Sequence, residues 1–121
     1  MRPSLALTIG AAAGVLFGLL LLAVPVQMLS GFGLGTPTEA QIVSRDVGVT
    51  LIGLGVINWM ARDAVGAPLR GLLIGNLFIQ VAESFVNGWE VAAGILPPAA
   101  AGGLVLHLVL AGIFALGLRR A

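Results

Sequence analysis

An apolar segment without a charged residue runs from Leu5 to Leu29, and it restricts the fold of this chain more than any other feature. About 20 apolar residues suffice for a helix to cross the ~30 Å hydrocarbon core of a bilayer, so this segment can span it with some tilt. A secretory signal is the competing interpretation, but the apolar region of such a signal is typically only about 7–15 residues long. We therefore expect a transmembrane helix here.

Three further apolar segments follow, and each begins near a proline. Pro37, Pro68 and Pro98 are tolerated in the first turn of a helix but not in its interior, so each marks a helix start. Thr36-Pro37-Thr38-Glu39 has the pattern of a capping box. The predicted helices cover about residues 5–29, 37–61, 68–89 and 98–118. Residues 1–121 are thus predicted to form one domain, an all-α polytopic integral membrane four-helix bundle.

The composition agrees with lipid as the main solvent. Hydrophobic residues make up 59% of the chain and charged residues 9%, and the mean hydropathy is +1.10. Cysteine is absent, which excludes disulfides, thiolate metal sites and iron–sulfur clusters. All six basic residues are arginines, and no run of them could neutralise several phosphates, so nucleic acid is not an expected partner. Arginine without lysine, in a chain rich in Ala, Gly, Leu and Val, indicates a bacterium with a GC-rich genome.

The arginines are unevenly distributed between the two sides of the predicted bundle. Those that fall on one side are Arg2, Arg62, Arg70, Arg119 and Arg120. The opposite loops carry mainly Glu39 and Glu90, with Arg45 at a helix end. The positive-inside rule therefore predicts a multi-pass inner-membrane protein with both termini in the cytoplasm. Trp59 and Trp89 fall at opposite interfaces, as in an aromatic belt.

Glycines recur at the spacing typical of helix–helix contacts in membranes. Gly10, Gly14 and Gly18 form two overlapping GxxxG patterns on one face of helix one, and Gly71 and Gly75 repeat the pattern on helix three. One interpretation is close packing within the bundle, and the other is a homodimer that uses helix one. The expected partners are the lipid bilayer and either a second copy of the chain or a larger membrane complex.

Four polar residues form a stripe on one face of helix three. They are Asn76, Gln80, Glu83 and Asn87, spaced by three or four residues. Because an ionisable residue is costly in lipid, Glu83 should face the bundle interior, a water-filled cavity or a partner subunit. The stripe is either interhelical hydrogen bonding, worth roughly 0.6 kcal/mol per contact, or the wall of a pocket. His107 on helix four lies at a similar depth, so it could meet Glu83 and hold or exchange a proton with it.

Arg45 and Asp46 are adjacent on helix two and differ in direction by about 100°, so we expect one of them to point inward. One interpretation is an interfacial ion pair whose side chains reach the headgroups. The alternative is a pocket open toward the non-cytoplasmic side, which would suit a small polar ligand, a proton or a lipid headgroup. This candidate site comprises Arg45, Asp46, Asn76, Gln80, Glu83, Asn87 and His107. One histidine and scattered acids match no metal-ligand spacing, so no metal or other cofactor is predicted.

A series of short motifs extends over most of the chain. In order they are Pro25, Gly31-Phe32-Gly33-Leu34, Arg45-Asp46-Val47-Gly48, Leu54-Gly55 and Asn58-Trp59-Met60-Ala61-Arg62. This series resembles a broad group of small bacterial four-helix membrane proteins that have no assigned activity, and the resemblance implies the fold alone. Small multidrug-resistance transporters share the length and the helix count, but their essential glutamate belongs to helix one, where this chain has no acid.

Two functional hypotheses follow from these patterns. The first is a structural or accessory bundle subunit that associates within a larger complex. The second is a proton-coupled transporter, or a protein that binds a small polar or lipid ligand, with Glu83 as the titrating group and His107 as its neighbour. The sequence contains no nucleophile with a base and an orienting group, and no phosphate loop, so it favours a non-enzymatic role. An acid and a histidine could in principle still catalyse proton shifts on a lipid.

Overall fold

The computed structural model describes every residue from Met1 to Ala121, and its regular elements are all helices. The helices are α1 (Pro3–Ala23), α2 (Pro25–Gly31), α3 (Thr38–Met60), α4 (Gly66–Ala92) and α5 (Ala101–Leu118), the last preceded by a 3₁₀ turn (Pro98–Ala100). Four helices are long and apolar enough to cross a membrane: α1, α3, α4, and α5 with its 3₁₀ turn. The predicted all-α membrane four-helix bundle is therefore confirmed.

The first apolar segment is not one helix, contrary to the prediction for residues 5–29. It breaks at Val24, whose φ of −132° and ψ of 55° are not helical, and α2 then begins at Pro25. Proline has no N–H to continue the hydrogen-bond ladder, and its ring disfavours helical geometry at the preceding residue. The membrane span is consequently Pro3–Ala23, and α2 is a separate short helix beyond it.

The predicted capping box at the start of the next span is not formed. α3 begins at Thr38, with Pro37 in the cap position, and no side chain caps it. Instead the Gln41 side-chain amide donates to the Thr36 carbonyl oxygen across 2.9 Å. The third span also begins earlier than expected, at Gly66, because Pro68 occupies its first turn rather than its first position.

The four spans form two antiparallel pairs, α1 with α3 and α4 with α5. Glycines allow α1 and α3 to approach closely. A Cβ on Gly18 would lie 2.6 Å from the Gly48 carbonyl oxygen, and one on Gly14 would lie 2.8 Å from the Leu51 carbonyl oxygen. A side chain at either position would force the two helices apart. The glycines of α1 therefore serve packing within the bundle, the first of the two interpretations.

The glycines of α4 have a different environment. A Cβ on Gly71 or on Gly75 would meet no atom of another element within 4 Å. Their face of α4 lies on the outer surface of the bundle, so these two glycines contribute nothing to contacts within the chain.

The two ends of the bundle differ in charge and in packing. We call the end with both termini and the α3–α4 connection the arginine end, because it carries Arg2, Arg62, Arg70, Arg119 and Arg120. The other is the α2 end. The hydrophobic core lies toward the arginine end and consists of Ala6, Leu7, Leu69, Leu73, Leu110 and Phe114. The buried apolar contacts between the two helix pairs are therefore concentrated in that half.

Candidate ligand-binding cavity

A cavity of about 320 Å³ separates the two helix pairs. It extends from Asn76 and Phe114, next to the hydrophobic core, to Phe32, Leu34 and Leu96 at the α2 end. All four spans contribute to its walls. The cavity therefore occupies the half of the bundle in which the core does not fill the space between the pairs.

The two walls of the cavity differ in chemistry. The α1–α3 pair supplies an apolar wall that includes Ala13, Phe17, Leu21, Leu51 and Leu54. The α4–α5 pair supplies the polar side chains Gln80, Glu83, Asn87 and His107. Because residues three or four apart share a face of a helix, the stripe on α4 places its members on one wall. A molecule in this cavity would have an apolar surface on one side and hydrogen-bonding groups on the other.

A pair of asparagines lies at the floor of the cavity, where Asn76 lines the wall and Asn58 lies just behind it. Asn58 on α3 and Asn76 on α4 are almost fully buried, and each side-chain amide donates to the oxygen of the other, across 2.9 Å and 2.8 Å. Asn76 also donates to the Leu72 carbonyl oxygen. A Cβ on Gly10 of α1 would lie 3.2 Å from the Asn58 amide nitrogen, so α1 reaches the same junction. Asn76 is thus a structural hydrogen-bonding residue, the first interpretation of the stripe.

Gln80 and His107 form the next polar layer. Gln80 is buried, and its Oε1 lies 2.8 Å from Nδ1 of His107, a bond that joins α4 to α5. An amide oxygen only accepts, so this contact is a hydrogen bond in the tautomer that carries the proton on Nδ1, and Nε2 of that neutral imidazole is an acceptor. The sequence allowed His107 to meet Glu83; in the structure both line the cavity, and the hydrogen-bond partner of His107 is Gln80, one turn before Glu83.

Glu83 and Asn87 occupy the layer nearest the α2 end. Asn87 donates to the Glu83 backbone oxygen across 3.0 Å and to its carboxylate Oε2 across 3.3 Å. Glu83 is exposed within the cavity wall and forms no ion pair, because the only ion pair in the structure joins Arg62 to Asp63. This carboxylate therefore has one amide partner and no arginine paired with it.

Arg45 and Asp46 do not belong to this cavity. Both side chains are exposed on α3, and neither lines the cavity or pairs with the other. The expectation that one of them points inward is wrong, because the inward face of α3 at this level is taken by Ser44 and Gly48, which pack against α1. Their position near the α2 end of α3 fits long side chains that reach the headgroup region.

The gap between α3 and α4 explains why the cavity is open. Each of these helices packs mainly on another partner, α3 on α1 and α4 on α5. The Asn58–Asn76 pair is the only hydrogen-bonded link between them. Above that link toward the α2 end, no polar contact holds the two helix pairs together.

Asn58 was not among the candidate residues predicted from the sequence, so its role as a buried hydrogen-bond partner was missed. Its spacing in the sequence could have revealed this role. The face of α3 that packs inward has residues three, four or seven positions apart, namely Ser44, Gly48, Gly55 and Asn58. A polar residue on the glycine face of a membrane helix is expected to find a hydrogen-bond partner on a neighbouring helix.

The described side chains include no group of three or more His, Cys, Asp or Glu that could hold a metal ion. No protein-family model, curated protein or solved structure matches this chain significantly. The resemblance to a group of small bacterial membrane proteins therefore stays a prediction, and the function has to be argued from the cavity.

Proposed function

We propose that this protein binds a small ligand inside the membrane, in the cavity between the α1–α3 pair and the α4–α5 pair. The observation that supports this proposal most strongly is that Glu83 lines open space and forms no hydrogen bond or ion pair to another helix. Polar residues that serve only as links between helices are expected to be buried and satisfied, as Asn58 and Asn76 are. Glu83 and Asn87, the stripe residues nearest the α2 end, differ from this pair because they line the cavity and form no hydrogen bond to another helix.

The size and lining of the cavity favour a small amphiphilic ligand. Its volume of about 320 Å³ is at the lower end of the range of roughly 300–1,000 Å³ typical of ligand pockets. A mostly apolar lining with a few convergent polar groups is also typical of such pockets. Glu83 and His107 can each bind a proton, so uptake or release of the ligand could be coupled to proton transfer.

A titration in lipid nanodiscs tests ligand binding directly. The probes are octylamine, octanol and octanoate, which share one alkyl chain and differ in the head group. Methyl-labelled alanines report the site by NMR, since Ala13 and Ala100 line the cavity whereas Ala12 is on the outer surface. We expect at least one probe to shift the Ala13 and Ala100 signals saturably and to leave Ala12 unchanged.

Two neighbouring glycines of α5 supply a matched pair of variants. Gly103 lines the cavity, with the Phe32 ring 3.8 Å from the position of its Cβ, whereas a Cβ on Gly102 meets no atom within 4 Å. Gly103→Leu should fill the cavity and abolish the saturable shifts, and Gly102→Leu should keep them. Shifts that are equal at Ala12 and Ala13, or unaffected by Gly103→Leu, would mean partitioning into lipid and would refute the proposal.

For the membrane placement, we infer a multi-pass protein of a bacterial inner membrane with the arginine end in the cytoplasm. The asymmetry of arginines supports this orientation through the positive-inside rule. The cavity then lies in the non-cytoplasmic half of the bundle. Cysteines introduced as Gly35→Cys and Pro97→Cys should react with an impermeant reagent added outside the cell; reaction from the cytoplasmic side alone would reverse the assignment.

An accessory role in a larger assembly is the second candidate. The Gly71–Gly75 face of α4 favours it, because this small-residue face has no neighbour in the chain. The glycine face of α1 is occupied by α3, so a homodimer would have to use another surface, and α4 offers one. Under this proposal, Gly75→Ile converts a dimer into a monomer in native-detergent mass measurements, and a wild-type protein that is already monomeric would exclude the dimer.

A further inference from the structure

The distribution of charge and of hydrogen-bond acceptors in the cavity points to a specific ligand class. We propose that the ligand is a cationic amphiphile: an amine or ammonium head held at Glu83 and Asn87, with an apolar body against the α1–α3 wall. This inference rests on the proposed function, because it names the chemistry of the molecule that the same cavity would bind.

The charge of the cavity wall is the first argument. Glu83 is the only Asp, Glu or Arg side chain that lines the cavity. The five arginines of the arginine end lie beyond the core, and Arg45 is exposed on the outer face of α3. A carboxylate that lines a mostly apolar cavity is stabilised by a nearby positive charge, and no arginine of the chain lines the cavity to supply one. A cationic ligand would.

The hydrogen-bonding groups around Glu83 are the second argument. Both amide hydrogen-bond contacts of Asn87 run from its Nδ2 to Glu83, which leaves the Asn87 Oδ1 as an acceptor. This oxygen faces α5, since it lies 3.9 Å from the position of a Cβ on Gly103. The Nε2 of His107 is a further acceptor when Nδ1 donates to Gln80. An ammonium group has donors and no acceptor, so it complements this set of atoms.

The opposite wall is the third argument. It lacks charged side chains and includes the rings and branched chains of Phe17, Leu21, Leu51 and Leu54, which face the polar layers across the cavity. An alkyl or aryl group placed there is removed from water while the head stays at Glu83, and burial of apolar area stabilises such a complex by about 25 cal/mol per Å². A small hydrophilic cation has no apolar group to bury, so its complex would lack this stabilisation.

The same features disfavour anionic and neutral amphiphiles. A carboxylate head would place a second negative charge beside Glu83, and like charges in contact repel. A neutral alcohol head could donate to Glu83 but would leave the carboxylate without a counter-charge. We therefore expect octylammonium to bind at least tenfold more tightly than octanol, and octanoate to bind most weakly.

The test compares these head groups in the wild type and in two charge-removing variants. Dissociation constants are read from the saturable shifts of the Ala13 methyl group in nanodiscs made of zwitterionic lipid. Glu83→Gln keeps the size and hydrogen bonding of the side chain but removes the charge, so the preference for octylammonium over octanol should fall to less than threefold. Glu90→Gln removes a carboxylate seven residues further along α4 that does not line the cavity, and it should leave the preference unchanged.

The outcomes separate this inference from the proposed function. If octanol or octanoate binds saturably and as tightly as octylammonium, the cationic class is overturned while ligand binding stands. If the cation preference survives Glu83→Gln, the placement of the head group at Glu83 is overturned. A preference that is lost equally in Glu90→Gln would reflect surface charge and would also overturn it. If no probe gives a saturable shift, the proposed function itself fails. Cation preference that depends on Glu83 alone supports both.

Discussion

Replacing Asn58 by Ala removes both hydrogen bonds that join α3 to α4 and leaves the Asn76 side chain buried with only its bond to the Leu72 carbonyl oxygen. An interhelical hydrogen bond in a membrane protein contributes about 0.6 kcal/mol on average and up to about 1.7 kcal/mol. A buried polar group left without a partner costs about 1–3 kcal/mol. Asn58→Ala should therefore lower the free energy of unfolding by about 1–3 kcal/mol, and Asn76→Ala by a similar amount.

The double variant gives the sharper prediction. Once Asn58→Ala has removed both bonds, Asn76→Ala has little left to remove, and it also eliminates the unsatisfied amide. The two substitutions should therefore be strongly non-additive, with a coupling energy of about 1–3 kcal/mol for the two bonds. SDS-induced unfolding of the single and double variants measures this quantity.

A control on the same helix separates the pair from a general effect of losing an amide. Asn87 bonds only within α4, to Glu83, so Asn87→Ala should change the free energy of unfolding by less than about 0.5 kcal/mol. Additive effects of Asn58→Ala and Asn76→Ala, with a coupling energy near zero, would refute the view that this pair locks the two helix pairs together at the cavity floor.

Two further predictions concern packing and pH. Gly18→Ala places a Cβ 2.6 Å from the Gly48 carbonyl oxygen, so it should destabilise the bundle by about 1–3 kcal/mol in the same unfolding assay, whereas Gly71→Ala meets nothing and should be neutral or slightly stabilising. Binding of a permanently charged octyltrimethylammonium probe should weaken on acidification, because protonation of Glu83 removes negative charge and protonation of His107, the other titratable side chain lining the cavity, adds positive charge. In Glu83→Gln the pH dependence should shrink to the His107 contribution; an unchanged profile would contradict the role of the carboxylate.

The fold was predictable because the signals for it lie in long, local patterns. Apolar length defines a membrane span regardless of what the span contacts, and prolines near helix starts divided the chain at nearly the right places. The helix break at Val24 was not predicted, because the apolar run continues through Pro25 without a change of composition. A proline four residues before the end of the segment had to be given more weight than hydrophobicity.

The site was only partly predictable, because it depends on how far apart the helix pairs stand. Spacing alone placed Asn76, Gln80, Glu83 and Asn87 on one face of α4, and the structure places them all on the cavity wall. Spacing could not distinguish Asn76, which pairs with a neighbouring helix, from Glu83, which does not. The difference arises from the position of Asn58 on another span, a tertiary relation that no local pattern contains.

The outward direction of Arg45 and Asp46 also depends on a contact between helices, which local spacing does not show. Adjacent charged residues in a span draw attention because charge is costly in lipid. Their direction is set by the glycine face of α3, which must turn toward α1 and therefore carries the charged pair outward. Assigning the packing face from Gly48 and Gly55 first would have excluded both from the site.

The central claim is that Glu83 borders an open, water-accessible cavity between two helix pairs, and cysteine accessibility tests it most directly. The chain contains no cysteine, so single thiols can be introduced without background. Glu83→Cys and Phe85→Cys lie two residues apart on α4, and Phe85 is 79% exposed on the outer surface and does not line the cavity. With the protein in nanodiscs, a small charged methanethiosulfonate reagent should modify Glu83→Cys rapidly and Phe85→Cys barely, because only the cavity admits water to a thiol at this depth. Equal protection of both thiols would show that position 83 is packed against a helix or embedded in lipid, and the account of a ligand cavity would be contradicted.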